Sequence, residues 1–156
     1  MKLICFFLLA IISCSAHIGE NLEQSALRYG PPIKILDVAP DCKCVFYVKA
    51  DVHIRAEFLK GICVGLEFSR EPSFSEAEAR TIAVQDGSRW GEAHYFVSQG
   101  HPITAWTRSD KIAAMFDSLT GKLSLQAPNW EDWAYLSSKK QKADEDAEAA
   151  KSVPNL

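Results

Sequence analysis

The sequence predicts an α+β protein, with one main helix packed on a four- to five-stranded antiparallel sheet. Three observations lead there. From Asp51 to Leu66 the apolar residues recur with a helical period: at about 100° per residue, Val52, Ala56, Phe58, Leu59, Ile62, Cys63 and Leu66 share one broad face, and His53, Glu57, Lys60 and Gly61 lie opposite. Downstream, short runs alternate with a period of two. The connections between those runs are short, so neighbouring strands should pair antiparallel. A lone helix with one apolar face needs a sheet to cover it.

The N-terminus reads as a secretory leader over residues 1–16. Lys2 precedes the apolar run Leu3–Ile12, which is too short to span a bilayer, and Cys14 and Ala16 are small residues placed for cleavage before His17. The same residues support a rival reading, because Ile11-Ile12-Ser13-Cys14 resembles a bacterial lipobox with Cys14 as the lipidated residue. Losing Lys2 with the leader leaves one fewer than the 17 basic residues against 20 acidic ones, a net charge of −4. Bulk charge therefore gives no attraction to polyanions, and only a local basic patch could hold nucleic acid.

Residues 17–36 read as a polar arm ending in Tyr29-Gly30-Pro31-Pro32, whose prolines favour extended backbone. The folded domain is expected over 37–136, after an edge strand at Ile33–Val38. Cys44–Val48 reads as a strand, and Asp51 as the N-cap of the main helix. Ser69–Ser75 is a loop, and Glu76–Ala79 is one helical turn at most. Strands follow at Thr81–Gln85, Glu92–Ser98, Ile103–Arg108, Lys111–Phe116 and Lys122–Gln126, with Asp86-Gly87 as a hairpin signal. Trp130 and Trp133, three apart, suit a closing turn that covers the sheet. Residues 137–156 are charged and poor in large apolar side chains, and read as a disordered tail or a frayed helix. No internal repeat is evident.

Cys42, Cys44 and Cys63 lie beyond the leader, an odd number for an oxidising compartment. If the helix folds back on the strand before it, an extended rise of about 23 Å from Cys44 to Asp51 is answered by a helical return of about 18 Å, which brings Cys63 near Cys44. One of Cys42 and Cys44, with Cys44 the better placed, is thus expected to bridge Cys63. His53 and Cys63 would stand about 15 Å apart along that helix, too far to share a zinc ion. No metal or cofactor is expected.

Cys44, Tyr47, Ile54-Arg55-Ala56 and Cys63 together resemble the start of the microbial guanyl-specific ribonucleases of filamentous fungi, which have a Cys, an aromatic residue and a V-R-A…A-C helix. Glu71–Ser75, His94–Val97, Asp110-Lys111-Ile112 and Asp117…Gly121-Lys122 extend the likeness to about Gln126. The resemblance implies a ribonuclease-like fold without its chemistry. On this alignment the loop His becomes Ser73, the strand Glu becomes His94, the Arg becomes Lys111, and the last His has no counterpart. That combination is similar to the secreted ribonuclease-like effectors of fungal plant pathogens. It implies a secreted, catalytically inactive protein that acts inside a host cell by binding a host protein, with weak RNA binding at His94, Lys111, Arg89 and Arg108. Trp90 and Trp106 are further candidates for a binding face, or else core. Two alternatives stand beside this reading: an active ribonuclease using His94 and Lys111, and an unrelated secreted or lipid-anchored binding protein.

Overall fold

The computed structural model of the chain describes residues 16–85 and 88–152. Among these residues the elements run α1 (Leu22–Tyr29), β1 (Lys34–Ala39), β2 (Cys42–Lys49), β3 (Val52–Leu59), β4 (Ile62–Ser69), α2 (Glu76–Val84), β5 (His94–Ser98), β6 (His101–Thr107), β7 (Ala113–Asp117), β8 (Lys122–Gln126) and α3 (Trp130–Ser152). All eight strands join one antiparallel sheet in the order β1-β2-β3-β4-β8-β7-β6-β5. This corrects the expected fold of one helix on four or five strands.

The correction is concentrated in one stretch. The helix expected over Asp51–Leu66 is two strands, β3 and β4, joined at Lys60-Gly61. Val52, Ile54, Ala56 and Phe58 are all buried on one face of β3, so the same apolar residues that fit a helical period also fit a period of two. The turns decide between them. Lys60 and Gly61 have φ of 51° and 79°, and Ala50 and Asp51 have φ of 47° and 66°. Two consecutive left-handed residues form the tight hairpin whose twist matches that of its strands. Asp51 is therefore a turn residue between β2 and β3 and not an N-cap. Lys49 pairs with Val52 and Leu59 with Ile62 across these two turns.

One helix is longer than expected and another is not expected at all, and both carry a capping box. Ser75 accepts from the Glu78 amide, and the Glu78 carboxylate accepts from the Ser75 amide. With that start, Thr81–Val84 continue α2 instead of forming a strand. Asn21 and Gln24 cap α1 in the same way, inside the segment read as a polar arm. Tyr29 and Ser25 of α1 are buried. The Asp86-Gly87 signal and the leader up to Ser15 lie outside the described residues.

The elements repeat. A helix followed by a four-stranded meander, α1-β1-β2-β3-β4, is followed by a second such unit, α2-β5-β6-β7-β8. The last strands of the two units pair with each other, Leu66 opposite Leu125 and Phe68 opposite Leu123. One core runs under both units on the face covered by α1 and α2. It includes Tyr29, Tyr47, Ile54, Phe58, Phe68, Ala79, Ile82, Trp106, Phe116 and Leu123.

Among the described residues, the opposite face is covered over one end of the first unit. There α3 lays Trp133 against Cys42, Cys44, Leu59 and Val64, and half-buries Trp130 beside them. The two tryptophans do cover the sheet, at the start of a helix that continues through the expected disordered tail to Ser152. From Ser138 to Ala149 every side chain of that helix is exposed. Residues 153–156 lie outside the described residues.

Candidate interaction surface

Strand alternation sets which side chains reach the uncovered face. On β4 and β8 these are Glu67, Lys122 and Ser124. On β7 they are Met115 and Asp117, on β6 His101 and Ile103, and on β5 His94, Phe96 and Ser98, as the register across the sheet requires. Arg55 and Glu57 of β3 continue the row at the border of α3. The charges alternate along it, Arg55, Glu67, Lys122 and Asp117, and the His101 imidazole closes the row beside Asp117. Half-buried apolar side chains, Ile103 and Met115, and the exposed Phe96 lie among them.

Two shallow depressions share Glu67. One of about 250 Å³ is floored by Ile103, Met115 and Ser124 and rimmed by Phe96, Ser98, Asp117, Thr120 and Lys122. The other, about 270 Å³, lies among Ile33, Phe46, His53, Arg55 and Ser69. Asp117 is the most constrained member of the row. Its carboxylate meets His101 Nδ1 at 2.7 Å and accepts from Thr120 Oγ1 at 2.8 Å and from the Leu119 amide at 2.9 Å. Burial works to raise its pKa, but these hydrogen bonds outweigh it and hold the carboxyl below the usual range. Lys122 Nζ stands 3.4 Å from Glu67 Oε1, an exposed and loosely held pair.

At the α3 border the chemistry is denser. Glu57 is buried, accepts from Trp130 Nε1 and pairs with Arg55. Burial pushes its carboxyl above the ordinary value, against the opposing pull of Trp130 and Arg55. Gly65 opposes Glu57 on β4, and a Cβ there would sit 2.7 Å from Trp130 Cδ1, so glycine is what lets the indole reach the carboxylate. This cluster pins α3 to the sheet. A larger hollow of about 680 Å³ separates the outer part of α3 from β1, walled by Leu36, Asp37, Val38 and the acids Asp144, Glu145 and Glu148.

The residues expected from the sequence to form a cleft are only partly gathered. Arg108 donates to Asp110 at 2.6 Å, lies over the Trp90 ring and reaches Ser88 Oγ at 3.3 Å. Its charge is thus matched locally. Arg89 adjoins Trp90, which bridges Arg108, and the Lys111 amide donates to the Arg108 carbonyl, so these three basic residues share the end of the second unit. His94 stands apart on the edge strand, opposite Ala105. Trp106 is fully buried in the core.

The expected Cys44–Cys63 bridge is absent, and Cys42, Cys44 and Cys63 are free. Cys63 points into the α1/α2 core while Cys42 and Cys44 point under α3, on the other face of the sheet. The distance estimate behind the bridge required the helix that β3 and β4 replace. Burial pushes the Cys63 thiol up to about 12, and raises those of Cys42 and Cys44 as well. His53 and Cys63 likewise sit on different strands and opposite faces.

Fold and surface together define a two-unit α+β protein with one half-open sheet face. No protein-family model and no curated protein matches the chain. Among solved structures it is similar to a cysteine-rich secretory protein from Staphylococcus aureus subsp. aureus Mu50, with 9% identity and a TM-score of 0.46. That likeness covers 72% of this chain and 45% of the other, and is too slight to bear on fold or function. No described helix is long and apolar enough to cross a membrane.

Proposed function

We propose that this chain is a secreted binding protein that performs no reaction of its own and docks a protein partner on the open half of the second sheet face. The observation that carries this reading is the asymmetry of cover: among the described residues α3 buries one end of that face over the first unit, around Cys42, Cys44, Leu59 and Val64, while over β5–β8 Phe96, Ile103 and Met115 stand uncovered within a row of alternating charges. Apolar contacts ringed by mixed charge suit a protein surface, the apolar groups giving affinity and the charges register. A row of both signs is poorly suited to a polyanion. The V-R-A…A-C part of the ribonuclease-like resemblance lies on β3 and β4 instead of a helix, and the proposed reading does not draw on it.

The test is a photo-crosslinking residue at Met115 in protein secreted by its native cell. A discrete crosslinked partner is expected, and its affinity, remeasured with purified components, should fall at least about tenfold in Lys122→Glu. Lys142→Glu, on the exposed part of α3, should leave it unchanged. Crosslinks from α3 but none from Met115 would sink the reading.

One observation favours a lipid-anchored form of the same binding protein. Ala16, the residue before the expected cut, is buried, and its amide reaches the Ile82 carbonyl at 3.5 Å. Cleavage before His17 would remove it, whereas a cut before Cys14 keeps it. Sequencing the N-terminus of the mature protein decides between His17 and a blocked Cys14.

A further inference from the structure

We infer that the β5 edge is a self-association site, through which two copies of this chain join their sheets around a two-fold axis at Phe96. The two edges of the sheet are treated differently. β1 carries Lys34 and Asp37, has a bulge between Asp37 and Ala39, and is followed by Pro40. These are the devices by which sheets discourage edge pairing. β5 has none of them. Its sequence, His94-Tyr95-Phe96-Val97-Ser98, contains no Lys, Arg, Asp, Glu or Pro, and its register with β6 is unbroken. Tyr95, Phe96 and Val97 are 72%, 46% and 70% exposed.

The hydrogen-bond phase selects the partner. The Pro102 carbonyl accepts from the Ser118 amide at 3.1 Å, on the β7 side, and the Thr107 carbonyl accepts from the Gly91 amide at 2.9 Å, on the other side. Even-numbered residues of β6 therefore bond toward β7, and odd-numbered ones toward β5. Ile103 is thus the bonded partner of Phe96, while Tyr95 and Val97, opposite Thr104 and Pro102, turn their amides and carbonyls outward. A second copy laid antiparallel with Phe96 opposite Phe96 places Tyr95 opposite Val97 twice. Every outward-facing group of both residues then finds a partner.

The side chains agree with that register. Tyr95 and Val97 make an aromatic–β-branched pair on one face, the two Phe96 rings meet on the other at the closer, non-bonded spacing, and His94 meets Ser98. A shift by one residue would set outward groups against inward ones, and a shift by two keeps only one full pair of Tyr95 or Val97 within the strands. The strand is thus complementary to itself, and the open faces of both copies become one surface. The occupant is a second copy of this chain.

The experiment is sedimentation equilibrium of the secreted protein from about 1 to 500 μM, a range chosen because five residues a side bury less than a standard interface of roughly 1,600 Å². The weight-average mass should rise toward twice that of the chain. Val97→Pro removes an amide that β6 does not use, and Phe96 before it is already extended, so the monomer should keep its circular dichroism while dimerisation weakens at least about tenfold. Phe96→Lys should act likewise. In Phe96→Cys, mild oxidation should yield a disulfide-linked dimer, since the two thiols would face each other at the axis. A chain that stays monomeric throughout, or a dimer that survives both Val97→Pro and Phe96→Lys, overturns the inference. So does a Phe96→Cys chain that stays uncrosslinked.

Discussion

Glu57 shows how one residue can tie two elements together at a cost. Its carboxyl lies under α3, between the Trp130 indole and the Arg55 guanidinium. Burial raises its folded-state pKa, so the folded chain holds that proton more tightly than the unfolded chain does. Stability from this group is therefore greatest below the unfolded value of about 4.3, and declines as pH rises through the folded value. Glu57→Gln removes the titration. The difference in unfolding free energy between variant and parent, measured in urea at about pH 5 and pH 7.5, should move in favour of the variant at the higher pH. A difference that does not change with pH would mean the carboxylate is not desolvated. The sequence singled out Glu57 only as part of the polar side of a helix, because nothing local marks a carboxylate that an indole 73 residues away will cover.

Among the elements, α3 divides into a docked half and a solvated half. Trp133 is buried against Cys42, Cys44, Leu59 and Val64, while side chains from Ser138 to Ala149 are exposed. Helical pairs such as Lys140–Asp144 and Gln141–Glu145 support the outer half locally. A chain ending at Ser138 should therefore unfold within about 0.5 kcal/mol of the full chain. Trp133→Ala should cost about 3–5 kcal/mol. Both are read from urea midpoints, and a large loss on truncation would show that the outer helix is docked. From its composition the sequence left two readings of this tail, disorder and a frayed helix. It did not decide between them, since propensity and spaced ion pairs can order a segment that buries almost nothing. The capping boxes Asn21…Gln24 and Ser75…Glu78 were legible and would have placed α1 and α2.

Across the whole molecule, two αββββ units share one sheet and one core. The seam between them is the β4–β8 pairing, and behind it Phe68 and Leu123 lie in the same cluster as Tyr29 of α1 and Ile82 of α2. Neither unit has a closed core alone, so the chain should unfold in a single transition. Tryptophan fluorescence samples both units, through Trp90 and Trp106 in one and Trp130 and Trp133 over the other. Its urea transition should coincide with that of circular dichroism, and two separated transitions would show that the units fold independently.

By itself the sequence placed β5 to β8 and their antiparallel order closely, from period-two runs and short turns, while it read the end of α2 as a strand. It also marked Ile33–Val38 as an edge strand. The tertiary structure alone decided the middle of the first unit, the hairpin of β3 and β4. Val52 to Leu66 satisfies both a helical and a strand period, and the choice fell to the left-handed turns at Ala50-Asp51 and Lys60-Gly61 and to β2 and β8, which pair with β3 and β4 on either side. Non-local pairing energy is not written in a local period. For the same reason the open face, assembled from β4 to β8, was visible only once the strands were laid side by side.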